Sequence, residues 1–359
     1  MELEKKIAVI FNQFQTQHTF KSFETFNSGH INDTFLIITQ EDINYVLQKI
    51  NTTVFKKATD VVHNKIKITH HLSEKGIQTI RFIPTKDNVY YLIDDDNNLW
   101  NLSEFIENSQ TFLKVEYDGI AYQAGLITAE FLAQTSDFEN DLVEILPNFH
   151  SMSFRFQEFQ DALNSTTKIR KQKALKWIDF ILRNIDKMMI LEHAINRKEI
   201  LLRVTHNDTK ISNILFDTNN KAICLIDLDT VMKGCIHFDY GDALRTICNT
   251  ADEDEVNVSA INFNLNYFKN YTEGFLKSLA NNISKQEASY LPISIQVMTF
   301  IMGLRFLTDY LNNDIYYKTK HPEHNLNRAN NQFSLVKKIR EQQHEINSFI
   351  KNTYMSSCH

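Results

Sequence analysis

Two hydrophobic rhythms divide this chain of 359 residues, and the change from one to the other constrains its fold more than any other feature. Period-two runs bounded by turn residues predict strands at 23–27, 34–39, 45–49, 89–93 and 99–105. Between the third and fourth, 53–75 lacks Pro and Gly and spaces Val54, Ala58, Val61, Val62, Ile66, Ile68 and Leu72 as a helix would. Beyond Phe105 the period becomes helical, over 117–136, 169–197, 257–279, 284–309 and 328–350. The expectation is an α+β chain of two lobes: five strands and a helix over 1–107, then a larger, mostly helical lobe over 108–359. The stretch 100–107 is the natural hinge.

One strand pair interrupts the helical half, and a polar string flanks it. The apolar run 201–205 leads into His206-Asn207-Asp208-Thr209-Lys210-Ile211-Ser212-Asn213. Strands at 213–217 and 222–226 then follow, joined by a turn at 218–220 and ending in Asp227-Leu228-Asp229. Asn213 follows Asp208 by five residues and Asp227 follows Asn213 by fourteen, the order in which a kinase-type site sets a base and two metal ligands. A hairpin would return Asn213 and Asp227 to its open end, within reach of one cation. The string read alone also fits turn caps, but hairpin and motif together favour phosphoryl transfer. His206 is expected to orient the loop, and Asp239 to accept its backbone N–H groups.

Composition excludes several alternatives. A charged fraction of 23%, a hydrophobic fraction of 43% and a net charge of −6 are those of a soluble globular protein with no broad attraction to nucleic acid. The basic run 168–173 leads into a helical pattern and reads as a solvated face. Cys224, Cys235, Cys248 and Cys358 have neither disulfide-framework nor zinc spacing. The first residues make a poor secretory signal, and 288–304 is interrupted by Pro292 and hydroxyl residues. The expectation is a cytoplasmic protein with no membrane partner.

With these residues in view, the chain resembles the aminoglycoside phosphotransferase and choline kinase-like superfamily, and within it the N-acetylhexosamine 1-kinases. The resemblance is carried by 205–213, by 226–232, by 305–311 continuing through Tyr316 to Asn325, and by Gly29-His30-Ile31-Asn32-Asp33-Thr34, so it spans nearly the whole chain. It implies a two-lobed protein-kinase-like fold and an enzyme that uses ATP and Mg²⁺ to phosphorylate the anomeric hydroxyl of N-acetylglucosamine or N-acetylgalactosamine. It further implies Asp208 as general base, Asn213 and Asp227 as Mg²⁺ ligands, and His30, Asp208, Arg305 and Tyr316 as sugar contacts, with Asp229 facing either metal or sugar. A sugar gripped by both lobes would require closure. For Arg305 the bland reading is a pair with Asp309 one helical turn on, for Tyr316 packing, and for His30 and Asp229 a turn.

The nucleotide side is less complete. The first turn carries Gly29 alone, so no glycine-rich loop covers the phosphates. The third strand offers Gln48 and Lys49 on opposite faces as phosphate contacts, and either fits. The helix after it supplies no obvious Glu to pair with a strand lysine. Adenine would meet hinge backbone at Glu104 to Ile106. Two other readings stand beside the sugar kinase. One is a kinase of the same fold for an amino alcohol or aminoglycoside, with the acidic run 252–255 as a cation site. The other is a non-catalytic nucleotide- or sugar-binding module.

Overall fold

The computed structural model describes residues 2–26 and 31–358. In chain order the elements begin with α1 (Glu2–Phe11), β1 (Phe20–Phe26), β2 (Asp33–Thr39), β3 (Tyr45–Ile50), α2 (Ala58–Glu74), β4 (Phe82–Ile83), β5 (Leu92–Ile93), β6 (Leu99–Glu104) and β7 (Ser109–Gln110). Next come α3 (Asp118–Gln134), α4 (Met152–Ser165), α5 (Lys168–Met188), α6 (Ile190–Asn196), β8 (Arg203–Thr205), β9 (Ile214–Asp217), β10 (Ala222–Leu225) and β11 (Met232–Gly234). The chain closes with α7 (Ile236–Ile247), α8 (Leu265–Leu279), α9 (Lys285–Leu311), α10 (His324–Glu341) and α11 (Gln343–Ser357). Two compact units divide these elements. One comprises Met1–Thr111, Asp137–Pro147 and Leu215–Lys233, and the other Phe112–Ser136, Asn148–Ile214 and Gly234–His359.

In the first unit an antiparallel sheet runs in the order β1-β2-β3-β6-β4, with β5 also on β6. Strand β4, too short to show alternation in sequence, joins the five expected. Alternation gives the sheet two apolar faces. Phe35, Ile37, Tyr45, Leu47, Trp100 and Leu102 pack on Ile7, Ile10 and Phe11 of α1, a helix the strand signals did not announce. Ile50 and Leu99 pack with Ala58, Val61 and Val62 of α2 and with Ile145 on the other face. Each fully buried Val, Leu or Ile contributes roughly 1.5–3 kcal/mol. Strands β9 and β10 form the expected hairpin, closed by Asp217, whose Oδ1 accepts the N–H groups of Asn219 (2.8 Å) and Lys221 (2.9 Å).

The second unit is built around α9. Composition and length would let this helix cross a membrane, but 78% of its most apolar window is buried, under α4, α5, α7, α10 and α11. A capping box starts it: Ser284 Oγ accepts the Glu287 N–H at 3.1 Å, while Glu287 Oε2 accepts the Ser284 N–H at 2.9 Å. Helices α3 and α8 approach so closely that a Cβ on Gly125 would lie 2.0 Å from the Tyr271 carbonyl oxygen, and one on Gly274 2.2 Å from that of Tyr122. The expected run 257–279 holds a single 3₁₀ turn at Val258–Ala260 and is α-helical only from Leu265, because Asn264 Oδ1 accepts the Asn266 and Tyr267 N–H groups at 3.0 and 3.1 Å and sets the start there. Likewise 169–197 and 328–350 each split into two helices. Helix α7 was not expected from the sequence; it is buried on nearly every side, and its buried positions include the polar His237, Asp239, Asp242 and Arg245.

Candidate active site

Strand β8 of the second unit delivers the chain into the loop 206–213, and α7 fixes that loop from beneath. Asp239, fully buried, accepts the N–H of His206 at 2.8 Å and of Asn207 at 2.7 Å, one on each carboxylate oxygen, while its own carbonyl accepts Thr209 Oγ1 at 2.6 Å. Burial pushes the Asp239 carboxyl up to about 6, against the opposing pull of His206 and the two N–H donors. Asn207 holds a left-handed backbone, φ 66°, a conformation Asn tolerates better than most residues. A Cβ on Gly234 would meet Thr205 Oγ1 at 2.4 Å and Asn207 Oδ1 at 2.9 Å, so only glycine fits against this bend. His206 Nδ1 accepts the Asp208 N–H at 3.3 Å, which orients the next residue.

That residue keeps 28% of its side chain exposed and is held as a carboxylate. Burial works against its charge, but Lys210 at 2.8 Å, His206 and Asn213 outweigh burial and hold the Asp208 carboxyl below its ordinary value. Both Asn213 amide donations go to Asp208, to its carbonyl at 2.9 Å and its Oδ2 at 3.0 Å. Asn213 Oδ1 is thereby left as the oxygen able to face a cation, which suits a hard divalent ion. His150 lies against the same loop. Burial drives its imidazole down to about 3, so it is neutral. Its Nε2 must then donate to the Asn207 carbonyl at 3.2 Å, since that oxygen can only accept, and Nδ1 is a buried acceptor with no protein partner among the described residues.

Arg305 does not pair with Asp309. Its guanidinium lies over the rings of Phe149 (5.0 Å) and Tyr317 (5.8 Å), and the Asp309 carboxylate instead accepts the N–H groups of Tyr316 (2.8 Å) and Tyr317 (3.0 Å) and the Asn325 amide (2.8 Å). This carboxylate shapes the turn after α9 and leaves Tyr316 55% exposed, its ring edge-on to that of Tyr317 at 4.8 Å.

The first unit holds the remaining sequence-derived residues. Asp227 has a left-handed backbone, φ 59° and ψ 53°, where β10 gives way to a single 3₁₀ turn. Asp229 is buried rather than at an exposed turn, and its carboxylate is bonded by Asn32 Nδ2 and by the ammonium of Lys65. Gln48 Oε1 accepts from that same ammonium at 2.9 Å. Lys49 projects from the other face of β3, its Nζ 3.7 Å from Asp33 and 6.0 Å from the centre of the Trp100 ring. Glu104 ends β6 in a pair with Arg81 at 3.0 Å, and the Ile106 carbonyl accepts the Ser109 hydroxyl. His30 lies outside the described residues.

A profile of the phosphotransferase enzyme family matches residues 22–272. The chain belongs to that family. Among solved structures, this phosphotransferase is similar to an aminoglycoside phosphotransferase from Alicyclobacillus acidocaldarius, at 14% identity and a TM-score of 0.62 over 96% of each chain. It is also similar to a microcompartment-associated aminopropanol kinase (12% identity, TM-score 0.65, 96% of this chain and 98% of that one). A third is an amicoumacin kinase in complex with AMP-PNP, Ca²⁺ and Ami (13% identity, TM-score 0.62, 93% and 92%). At such identities the likeness establishes the fold, which is protein-kinase-like and α+β, with an antiparallel sheet in the N-terminal lobe and a mostly helical C-terminal lobe.

The acidic run of the phosphotransferase is not an open cation site. Asp252 pairs with Lys114 at 2.6 Å, Glu253 with Arg245 at 3.2 Å, and Asp254 with Lys320 and His324, each at 3.0 Å; Glu255 Oε1 accepts the Asn257 N–H at 2.7 Å. Sequence reasoning passed over Lys210, Lys65 and Asn32. Lys65 did leave a signal: it sits four residues after Val61 and three before Ile68, a lysine on the buried stripe of α2.

Proposed function

We propose that this phosphotransferase is an anomeric kinase, transferring the γ-phosphoryl group of ATP to O1 of an N-acetylhexosamine, N-acetylglucosamine or N-acetylgalactosamine. The observation that carries this reading is Asp208, a partly exposed carboxylate kept ionised by Lys210 and Asn213 on a loop pinned by Asp239. Asp208 accepts the O1 proton as O1 bonds to the γ-phosphorus and the bond from that phosphorus to the ADP oxygen breaks. The products are the sugar 1-phosphate and ADP. Asn213, through Oδ1, and Asp227 would hold Mg²⁺, which supplies charge neutralisation on the phosphates when bound.

Arg305 supports a neutral, hydroxyl-rich acceptor. Its guanidinium donates but cannot accept, so it suits hydroxyls or an acetamide carbonyl and repels a cation. His30 and Tyr316 are the further sugar contacts in this reading, and Glu104 to Ile106 the adenine-facing backbone. The division of labour between residues 1–107 and 108–359 follows, with nucleotide contacts in the first segment and the base in the second. The reaction calls for cytoplasmic ATP and for neither nucleic acid nor membrane. A cationic acceptor, such as an amino alcohol or aminoglycoside, is the second reading, since the similar structures are named for such substrates; the neutralised run 252–255 weighs against it.

ADP release with ATP and Mg²⁺ across N-acetylglucosamine, N-acetylgalactosamine, glucose, galactose, choline and kanamycin tests the proposal, with ³¹P NMR identifying the product. An anomeric phosphate on an N-acetylhexosamine is expected. Turnover confined to choline or kanamycin would replace this reading with the second, and sugar binding without any ADP release would point to a non-catalytic module.

A further inference from the structure

Lys65 carries the most deeply buried lysine charge of the first unit. Only 3% of its side chain is exposed, and it is the one charged residue on a buried helix face that carries Ala58, Val61, Val62, Ile68 and Leu72 with the polar Asn64 and Thr69. An ammonium withdrawn from water is costly unless its N–H groups are matched, and replacing such a pair by apolar residues commonly costs nothing. A lysine retained there therefore calls for a reason beyond stability.

Its surroundings supply one. The ammonium donates to Gln48 Oε1 at 2.9 Å and forms an ion pair with the Asp229 carboxylate, with the Phe82 ring centre 5.9 Å away. An ammonium has three N–H donors, and among the described residues no other protein group is bonded to this one. Gln48 stands on the strand expected to present a phosphate-binding lysine, on the α2-facing side of the sheet. Asp229 stands two residues after Asp227. The ammonium is thus fixed between the two segments that a phosphoryl-transfer site brings to the nucleotide phosphates. Lys49 is on the other side of the sheet, the side packed on α1, and is 34% exposed beside Asp33.

We propose that Lys65 of α2, and not a lysine of β3, is the cation that contacts the nucleotide phosphates. Gln48 and Asp229 are positioning residues that hold its ammonium, and Asn32 holds Asp229 in turn. The usual arrangement, lysine on the strand and its partner on the helix, is transposed here. The assignment rests on the reading that the chain binds a nucleoside triphosphate.

Titration calorimetry with AMP-PNP and Mg²⁺, without any acceptor, tests it independently of turnover. The panel is wild type, Lys65→Met, Lys49→Met and the transposed pair Gln48→Lys/Lys65→Gln, with adenosine as a phosphate-free probe and thermal melting to report folding. One charged hydrogen bond to phosphate corresponds to about 10–100-fold in affinity. Lys65→Met should lose that much for AMP-PNP and nothing for adenosine, Lys49→Met should stay within about twofold, and the transposed pair should recover most of the loss. A folded Lys65→Met that binds AMP-PNP within twofold of wild type overturns the assignment, as does an equal loss for adenosine, which would mark a structural role. Should Lys65→Met fail to fold, the transposed pair decides, because it keeps one ammonium and one amide; if folded but unable to bind AMP-PNP it overturns the assignment. Wild-type protein that binds no AMP-PNP would remove the nucleotide reading itself, and the assignment with it.

Discussion

The loop around Asp208 and the pocket around Lys65 each hold a charge partly or wholly away from water, by different means. Asp208 is stabilised by neighbours two and five residues along the chain, Lys210 and Asn213, with α7 fixing the backbone through Asp239. Lys65 is held by Gln48 and Asp229, which come from a strand and from the turn after a distant hairpin. A site built from neighbours in sequence survives changes elsewhere in the fold. One built from three separate elements exists only when all three are in place.

The largest effect is expected at Arg305, the proposed acceptor contact. Arg305→Ala should raise KM for the sugar by about 10–100-fold, the worth of a charged hydrogen bond, and leave KM for ATP unchanged; steady-state kinetics with each substrate varied separately checks this. A matching rise in KM for ATP would remove Arg305 from the acceptor site. Next comes the loop's support. Asp239→Ala strands two buried N–H groups, at about 1–3 kcal/mol each, although relief from burying the carboxylate returns part of that. A net loss of about 1–3 kcal/mol is expected in urea unfolding.

Acid should weaken the loop's surroundings. His150 and His237, pushed by burial to about 3 and about 4, stay neutral in the folded chain while the unfolded chain takes up protons below the ordinary value of 6.5. A lowered imidazole pKa means stability is full above 6.5 and falls as pH drops toward 4, by about 1.4 kcal/mol per unit for each histidine. Asp239 acts in the opposite sense. Raised to about 6 from 3.8, it takes its proton in the folded chain first and returns a similar slope between those values. The net expectation is a declining melting temperature from pH 6.5 to 4, flattened by His237→Gln; an unchanged slope in that variant would contradict the burial argument. The smallest effect belongs to the α1-packed face of the sheet, at its partly exposed lysine: Lys49→Met should change unfolding free energy by no more than about 0.5 kcal/mol, measured by the same urea titration.

Legibility in the sequence followed the same division. The loop that brings Asn213 onto Asp208 and the hairpin before Asp227 could be read because their residues are contiguous in the chain. Strand alternation placed Gln48 and Lys49 on opposite faces of β3, as the structure has them, but could not say which face received α2. Lys65 showed only its place on the buried stripe of α2; its role could not be read, because its partners Gln48 and Asp229 lie in other elements. Arg305 and Asp309 shared a helical spacing that allows a pair, yet Asp309 is taken by the backbone of Tyr316 and Tyr317, which only the turn after α9 brings to it. Helix α7 stayed hidden because polar His237, Asp239, Asp242 and Arg245 fill buried positions, so its apolar residues alone do not mark the surface it buries.

The proposed phosphoryl transfer depends first on Asp208 as the base. Its most direct test is the rate of sugar 1-phosphate formation by Asp208→Asn with ATP, Mg²⁺ and N-acetylglucosamine, with melting temperature and AMP-PNP affinity measured on the same preparation. The account predicts a loss of about 10³-fold or more in kcat, with nucleotide binding and melting close to wild type. A folded variant that turns over within about tenfold of wild type would contradict it.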